Sequence, residues 1–149
     1  MRKTSDETDK AIRKLRRAHE TGKAILKIAH KTGTLIYLAS PYSDPKYIIR
    51  NDRAAEARSV VTHMFSKGYK VFSPVLYLHD ITSQSCSGLS YEFAKWRAFD
   101  LDMLGRSDEL WVLKMNGWRK SKGVRSEIRH AKKWGIPIRE VTLGELERL

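Results

Sequence analysis

The chain has 149 residues, which suits one domain with a real core and leaves no room for two independent ones. Hydrophobic residues make up 41% and charged residues 31%, a soluble globular composition that excludes disordered and fibrous classes. The formal net charge of +12 attracts polyanions or phosphorylated small molecules without saying which. No apolar run approaches the ~20 residues that cross a bilayer, so no membrane partner is expected. The start, MRKTSDETDKAIRKLRRAHE, has no apolar stretch or small-residue cleavage site and reads as no secretory signal. With the single cysteine, Cys86, this points to a reducing, cytoplasmic compartment.

Residues 1–32 form the first expected unit. They carry ten Lys or Arg against four acids, a net +6 and half of the total excess. Ile12, Leu15, Ala18, Ile25 and Ile28 recur at helical spacing between the cations, and Gly22 weakens the middle. The segment reads as a basic amphipathic helical extension that docks its apolar stripe or meets nucleic acid. His19–Lys23 (HETGK) lacks the leading glycine of a phosphate loop.

The second unit, residues 33–149, alternates strands and helices. TLIYLAS (Thr34–Ser40) is a continuous apolar run suited to a buried parallel strand, ended by Pro41. A helix follows over 46–67, closed at Gly68. YKVFSPV (Tyr69–Val75) is the second strand, and residues 76–90 read as a polar loop. A helix runs from about Tyr91 to Gly105, then a strand over Asp108–Lys114. Another helix covers Ser121–Trp134, and the last strand is Ile136–Val141. Thr142 with Glu145 forms a capping box for a short final helix. This alternation predicts right-handed crossovers and a mostly parallel sheet covered on both faces, with ligands beyond the C-terminal strand ends. The loops after the first three strands then converge on one crevice.

Candidate chemistry sits around that crevice. Ser121 and Gly123 open a helix whose free N–H groups suit an anion. Glu127 lies on the same side of that helix as Val124 and Ala131, and on spacing alone it is equally a partner of the helix dipole. Asp100 and Asp102 offer a second carboxylate for a glycosidic centre, where a nucleophile and a general acid are needed. Tyr37, mid-strand, reads alone as a core aromatic. Trp118 and His79 lie in crevice loops and are candidates for substrate contact. No metal or cofactor site is indicated.

Taken in order, LIYLASPYS, GYKVFSP, DELWVL, GWRKSKGVRSEI and AKKWGIPI resemble the nucleoside 2-deoxyribosyltransferase-like superfamily over about residues 33–141, and within it a subgroup of small bacterial and phage proteins. The resemblance implies a flavodoxin-like, Rossmann-like three-layer α/β fold that breaks a base–sugar bond through a glycosyl-glutamate ester. The family's Gly-x-x-x-Glu pattern matches Gly123–Glu127, which makes Glu127 the implied nucleophile. Its first-strand tyrosine matches Tyr37, and its D-L-x-x-(L/I) stretch favours Asp100 over Asp102 as the acid. The serine at position 121 is similar to that of the 2'-deoxynucleoside 5'-monophosphate N-hydrolase, where nucleoside transferases usually carry an acid. A 5'-phosphorylated substrate is therefore implied, with Ser40, Pro41, Ser121, Gly123 and Arg125 as further substrate contacts. A homodimer or larger assembly is also implied. Base exchange by a transferase, or a non-catalytic nucleotide or nucleic-acid binding module, stand as alternatives.

Overall fold

The computed structural model describes Arg17 and residues 33–83 and 88–149. The extension expected over residues 1–32 (Arg17 apart) and the region around Cys86 lie outside the described residues. Among those described, no helix is long and apolar enough to cross a membrane.

Four short strands form the sheet: β1 (Leu35–Ala39), β2 (Lys70–Phe72), β3 (Glu109–Leu113) and β4 (Ile138–Val141). All pairings are parallel, in the order β2-β1-β3-β4. That order is the flavodoxin-like winding, and the expected α/β class is the one formed. Among the described residues, five α-helices accompany it: α1 (Tyr47–Ser66), α2 (Pro74–Thr82), α3 (Phe93–Gly105), α4 (Lys122–Trp134) and α5 (Leu143–Glu147). The capping box read at Thr142 and Glu145 is present in full.

The two faces of the sheet follow from the alternation of side chains along β1. Ile36 and Leu38 pack with Val60 and Met64 of α1, Trp111 and Leu113 of β3, and Leu146 of α5. Tyr37 and Ala39 point the other way, toward Leu104 of α3 and Val124 and Ala131 of α4. Tyr37 therefore shares its face with the helix that carries Glu127. Leu38 is fully buried on the opposite face, so Leu38→Ala is expected to destabilise the fold by ~2–5 kcal/mol, read as a lower urea midpoint.

One expected loop is a helix instead. The polar loop read over 76–90 is occupied to Thr82 by α2, with Pro74 in its first turn. Proline has no N–H to lose there and its fixed φ starts a helix, so Pro74 begins α2 and does not merely end a strand. Val75, Leu78 and His79 are buried at helical spacing, and Val75 and Leu78 pack with Tyr42, Ala54 and Ala57. The strand before it shrinks accordingly to three residues, because Ser73 is already the N-cap.

Because β2 lies on one side of β1 and β3 on the other, the chain reverses its direction of travel at the β1–β3 junction. Doubly wound sheets open a crevice beyond the strand ends at that point. The segments after β1 (Ser40–Lys46) and after β3 (Lys114–Ser121) border it.

Candidate active site

A cavity of about 610 Å³ occupies the crevice, within the usual range for a small-molecule site. Its walls come from four places: Ser40 to Pro45 after β1, Pro74 to Leu78 at the start of α2, Tyr91 to Asp100 around the start of α3, and Lys120 to Glu127 at the start of α4.

Glu127 lies at the base. Along α4 the residues facing the sheet are Val124, Glu127 and Ala131, so a carboxylate occupies a core position of an otherwise apolar stripe. It is only 4% exposed. The Tyr37 hydroxyl donates to Glu127 Oε1 at 2.7 Å. Burial raises the Glu127 pKa to about 8, with the Tyr37 hydrogen bond opposing and the Asp100 charge adding to the rise. Burial, with the charges of Glu127 and Asp100, also holds Tyr37 well above its ordinary pKa, so the phenol stays a donor. Asp100, on α3, is 6% exposed, and burial lifts its pKa to about 7. Asp102 is exposed and paired with Arg106 at 3.0 Å. The two aspartates, two residues apart in the sequence, are thus divided by the helix into one cavity group and one surface group.

Tyr37→Phe removes the hydroxyl that favours the charged form of Glu127. The expected result is a further rise of the Glu127 pKa, checked by following the carboxyl carbon shift of Glu127 against pH by NMR.

At the other end, the N-terminus of α4 opens on the cavity. Ser121 Oγ accepts the Val124 N–H at 3.3 Å as the N-cap, and Lys120, Lys122 and Gly123 line the wall beside it. Two ammonium groups and a helix N-terminus make this the anion-accepting end. Ser40 lines the same cavity with its Oγ buried and without a hydrogen-bond partner among the described residues. Such a hydroxyl is suited to a ligand.

The rim after β1 is held by α1. Arg50 Nη1 donates to the carbonyls of Asp44 (2.6 Å) and Pro45 (3.1 Å), and Arg53 Nη1 to those of Tyr42 (3.1 Å) and Ser43 (3.0 Å). The Arg50 guanidinium also stacks on the Tyr91 ring at 3.7 Å, tying the wall before α3 to the same clamp.

Of the residues singled out in the sequence, Glu127, Asp100, Ser40, Ser121 and Gly123 line the cavity, and Tyr37 bonds to Glu127 from below. Pro41 is fully buried and is not among the lining residues. His79 is on α2, not in a loop; its Nδ1 lies 3.0 Å from the hydroxyl of Tyr42, which stands in the cavity wall. Trp118 lies in a 3-10 turn (Trp118–Lys120) and packs against the Tyr37–Val124 cluster, outside this cavity. Arg125 is exposed, on a side of α4 away from the sheet-facing stripe. Tyr42, Asp44, Tyr91, Glu92, Lys120 and Lys122 also line the wall and are not among the residues singled out in the sequence. Lys120 and Lys122 flank Ser121 and were legible as part of an anion site; the two tyrosines carried no local signal.

Fold and site together define a doubly wound α/β domain with a buried, paired carboxylate at its switch point. The chain belongs to the family described as a domain of unknown function, DUF1937, whose model matches residues 34–142. That stretch coincides with the one over which the sequence resembles the nucleoside 2-deoxyribosyltransferase-like superfamily. Among solved structures, the chain is similar to a 2-deoxyribosyltransferase from the psychrotolerant bacterium Bacillus psychrosaccharolyticus, at 20% identity, over 72% of each chain and with a TM-score of 0.45. No curated protein matches it.

Proposed function

We propose that this protein is an N-glycosidase that cleaves the base–sugar bond of a (deoxy)nucleoside 5'-monophosphate through a covalent ester on Glu127. The observation that carries the reading is the buried Tyr37–Glu127 hydrogen bond at the base of a cavity that also holds Asp100. A carboxylate in that position has little structural value, since an apolar residue would pack as well without a desolvation penalty. It has high value as an oriented nucleophile.

In the reaction, one Glu127 oxygen attacks C1' of the sugar while the C1'–N bond breaks. The bonding pair leaves with the base, and the Asp100 carboxyl supplies the proton to the departing base. Tyr37 holds the carboxylate for attack. Water then adds to C1' as the Asp100 carboxylate takes its proton, releasing sugar 5-phosphate and restoring Glu127. The 5'-phosphate is taken to sit at the α4 N-terminus on Lys120, Ser121, Lys122 and Gly123, with Ser40 as a further ligand. Base exchange differs only in that a second base, not water, resolves the ester.

The test is a panel of nucleosides and their 5'-monophosphates followed by chromatography. Free base with sugar phosphate is the expected product, and a swapped base from a mixture would assign the transferase. If no base is released from any member while nucleotides still bind, the reading fails in favour of a binding module. Residues 1–32 are taken as a basic extension separate from the catalytic unit of residues 33–149. Deleting them is expected to leave base release in place and to remove any salt-sensitive binding of nucleic acid.

A further inference from the structure

Beyond the anion-accepting end of the cavity lies a second depression, of about 420 Å³. It is lined by Lys114, Met115, Asn116, Gly117, Trp118, Arg119 and Lys120, so Lys120 stands in the wall of both. Three of the seven lining residues are cations and none is an acid. Lys114 and Arg119 are exposed, and neither makes a salt bridge among the described residues. Glu145 feels the charge of Lys114, but its carboxylate is already held by the N–H and Oγ1 of Thr142 at 2.7 and 2.9 Å. Gly117 has φ +85°, and a Cβ there would come within 3.4 Å of Arg53 Nη2, so a fourth guanidinium or ammonium group stands close by.

The geometry points to this depression as a second phosphate subsite, which extends the substrate class from nucleoside 5'-monophosphates to 5'-di- and triphosphates. The inference rests on the reading above only in placing the first phosphate at the α4 N-terminus. From there the next phosphate of a 5' chain meets Lys120 and then the Arg119 and Lys114 side. Each step adds anionic oxygens that a monophosphate lacks, against cations that have no competing acid in the lining. Phosphate–cation pairs of this kind are the stronger class of hydrogen bond.

The experiment is isothermal titration of the full chain carrying Glu127→Gln, so that turnover is absent. The ligands are the 2'-deoxynucleoside 5'-mono-, di- and triphosphates of the four common bases at one ionic strength. A Kd at least ~10-fold lower for di- or triphosphate than for monophosphate is expected. Lys114→Ala with Arg119→Ala on the same background is expected to abolish that gain and leave the monophosphate Kd within ~2-fold. Circular dichroism confirms that the variants are folded, and Arg119→Ala alone is read if the double variant is not. Equal affinity for all three chain lengths overturns the subsite, as does equal weakening of all three by the double variant, or no nucleotide binding at all. Base release by the native protein separates the two proposals. Tight triphosphate binding without base release keeps the subsite and removes the glycosidase. Base release from monophosphates with no gain from longer chains does the reverse.

Discussion

Glu127→Gln is expected to reduce base release by a factor of ~10⁴ or more, because the amide cannot form the glycosyl ester. The same substitution is expected to make the protein more stable at neutral and alkaline pH. In the folded chain the carboxyl holds its proton up to about pH 8, whereas in the unfolded chain it releases it near ~4.3. Between those values the folded state binds a proton that the unfolded state does not, so stability falls as pH rises through the window. Glutamine keeps an acceptor for the Tyr37 hydroxyl and never ionises. The gain in stability of the variant over the native protein is thus near zero below pH ~4, grows with pH, and levels off above pH ~8 at a few kcal/mol. Melting temperatures recorded from pH 4 to 9 would display this trend. Loss of activity without the pH-dependent gain would mean that the carboxylate is not desolvated as described, and residual base release above ~1% would rule out Glu127 as nucleophile.

The second large effect belongs to Asp100. As the donor to the leaving base it must be protonated, and Glu127 must be ionised. The pair carries apparent values of about 7 and about 8, and such interacting groups titrate jointly. The native pH profile of kcat/KM is expected to be a bell with its maximum between them. Asp100→Asn is expected to lower base release ~10²–10⁴-fold and to remove the alkaline limb. A substrate whose base departs without protonation should lose far less. If both kinds of substrate lose equally, Asp100 positions the sugar and does not supply the proton.

Much of the frame was open to reading because its signals are local. The continuous apolar run of β1 demands burial on both faces, and the Ser121 cap with Gly135 at the far end brackets α4. Glu127 is on its spacing equally a partner of the helix dipole, and the match of Gly123–Glu127 to the family's Gly-x-x-x-Glu pattern is what singles it out. What stayed hidden is non-local. Nothing near Pro74 says whether it ends β2 or begins α2; the decision falls to Val75 and Leu78, which gain a place against Ala54 and Ala57 only once α1 has packed. Tyr42 and Tyr91 enter the wall through contacts with His79 and Arg50, far away along the chain. Trp118 is a candidate for substrate contact because its loop borders the crevice, but the 3-10 turn packs it, half-buried, against the Tyr37–Val124 cluster outside the cavity.

The arginine clamp of α1 has a consequence for how ligands are received. Arg50 and Arg53 are one helical turn apart, and between them they hold four successive backbone carbonyls of the rim. A segment so tethered has already surrendered its conformational freedom before any ligand arrives, so binding is spared the entropy of ordering it. Lysine at either position keeps the charge but loses the planar guanidinium, whose Nη1 bridges two carbonyls in each case and whose face, at Arg50, lies on the Tyr91 ring. Such a variant would fold as before and meet its ligand with a looser rim, a deficit seen as a less favourable binding entropy with the chemistry at Glu127 untouched.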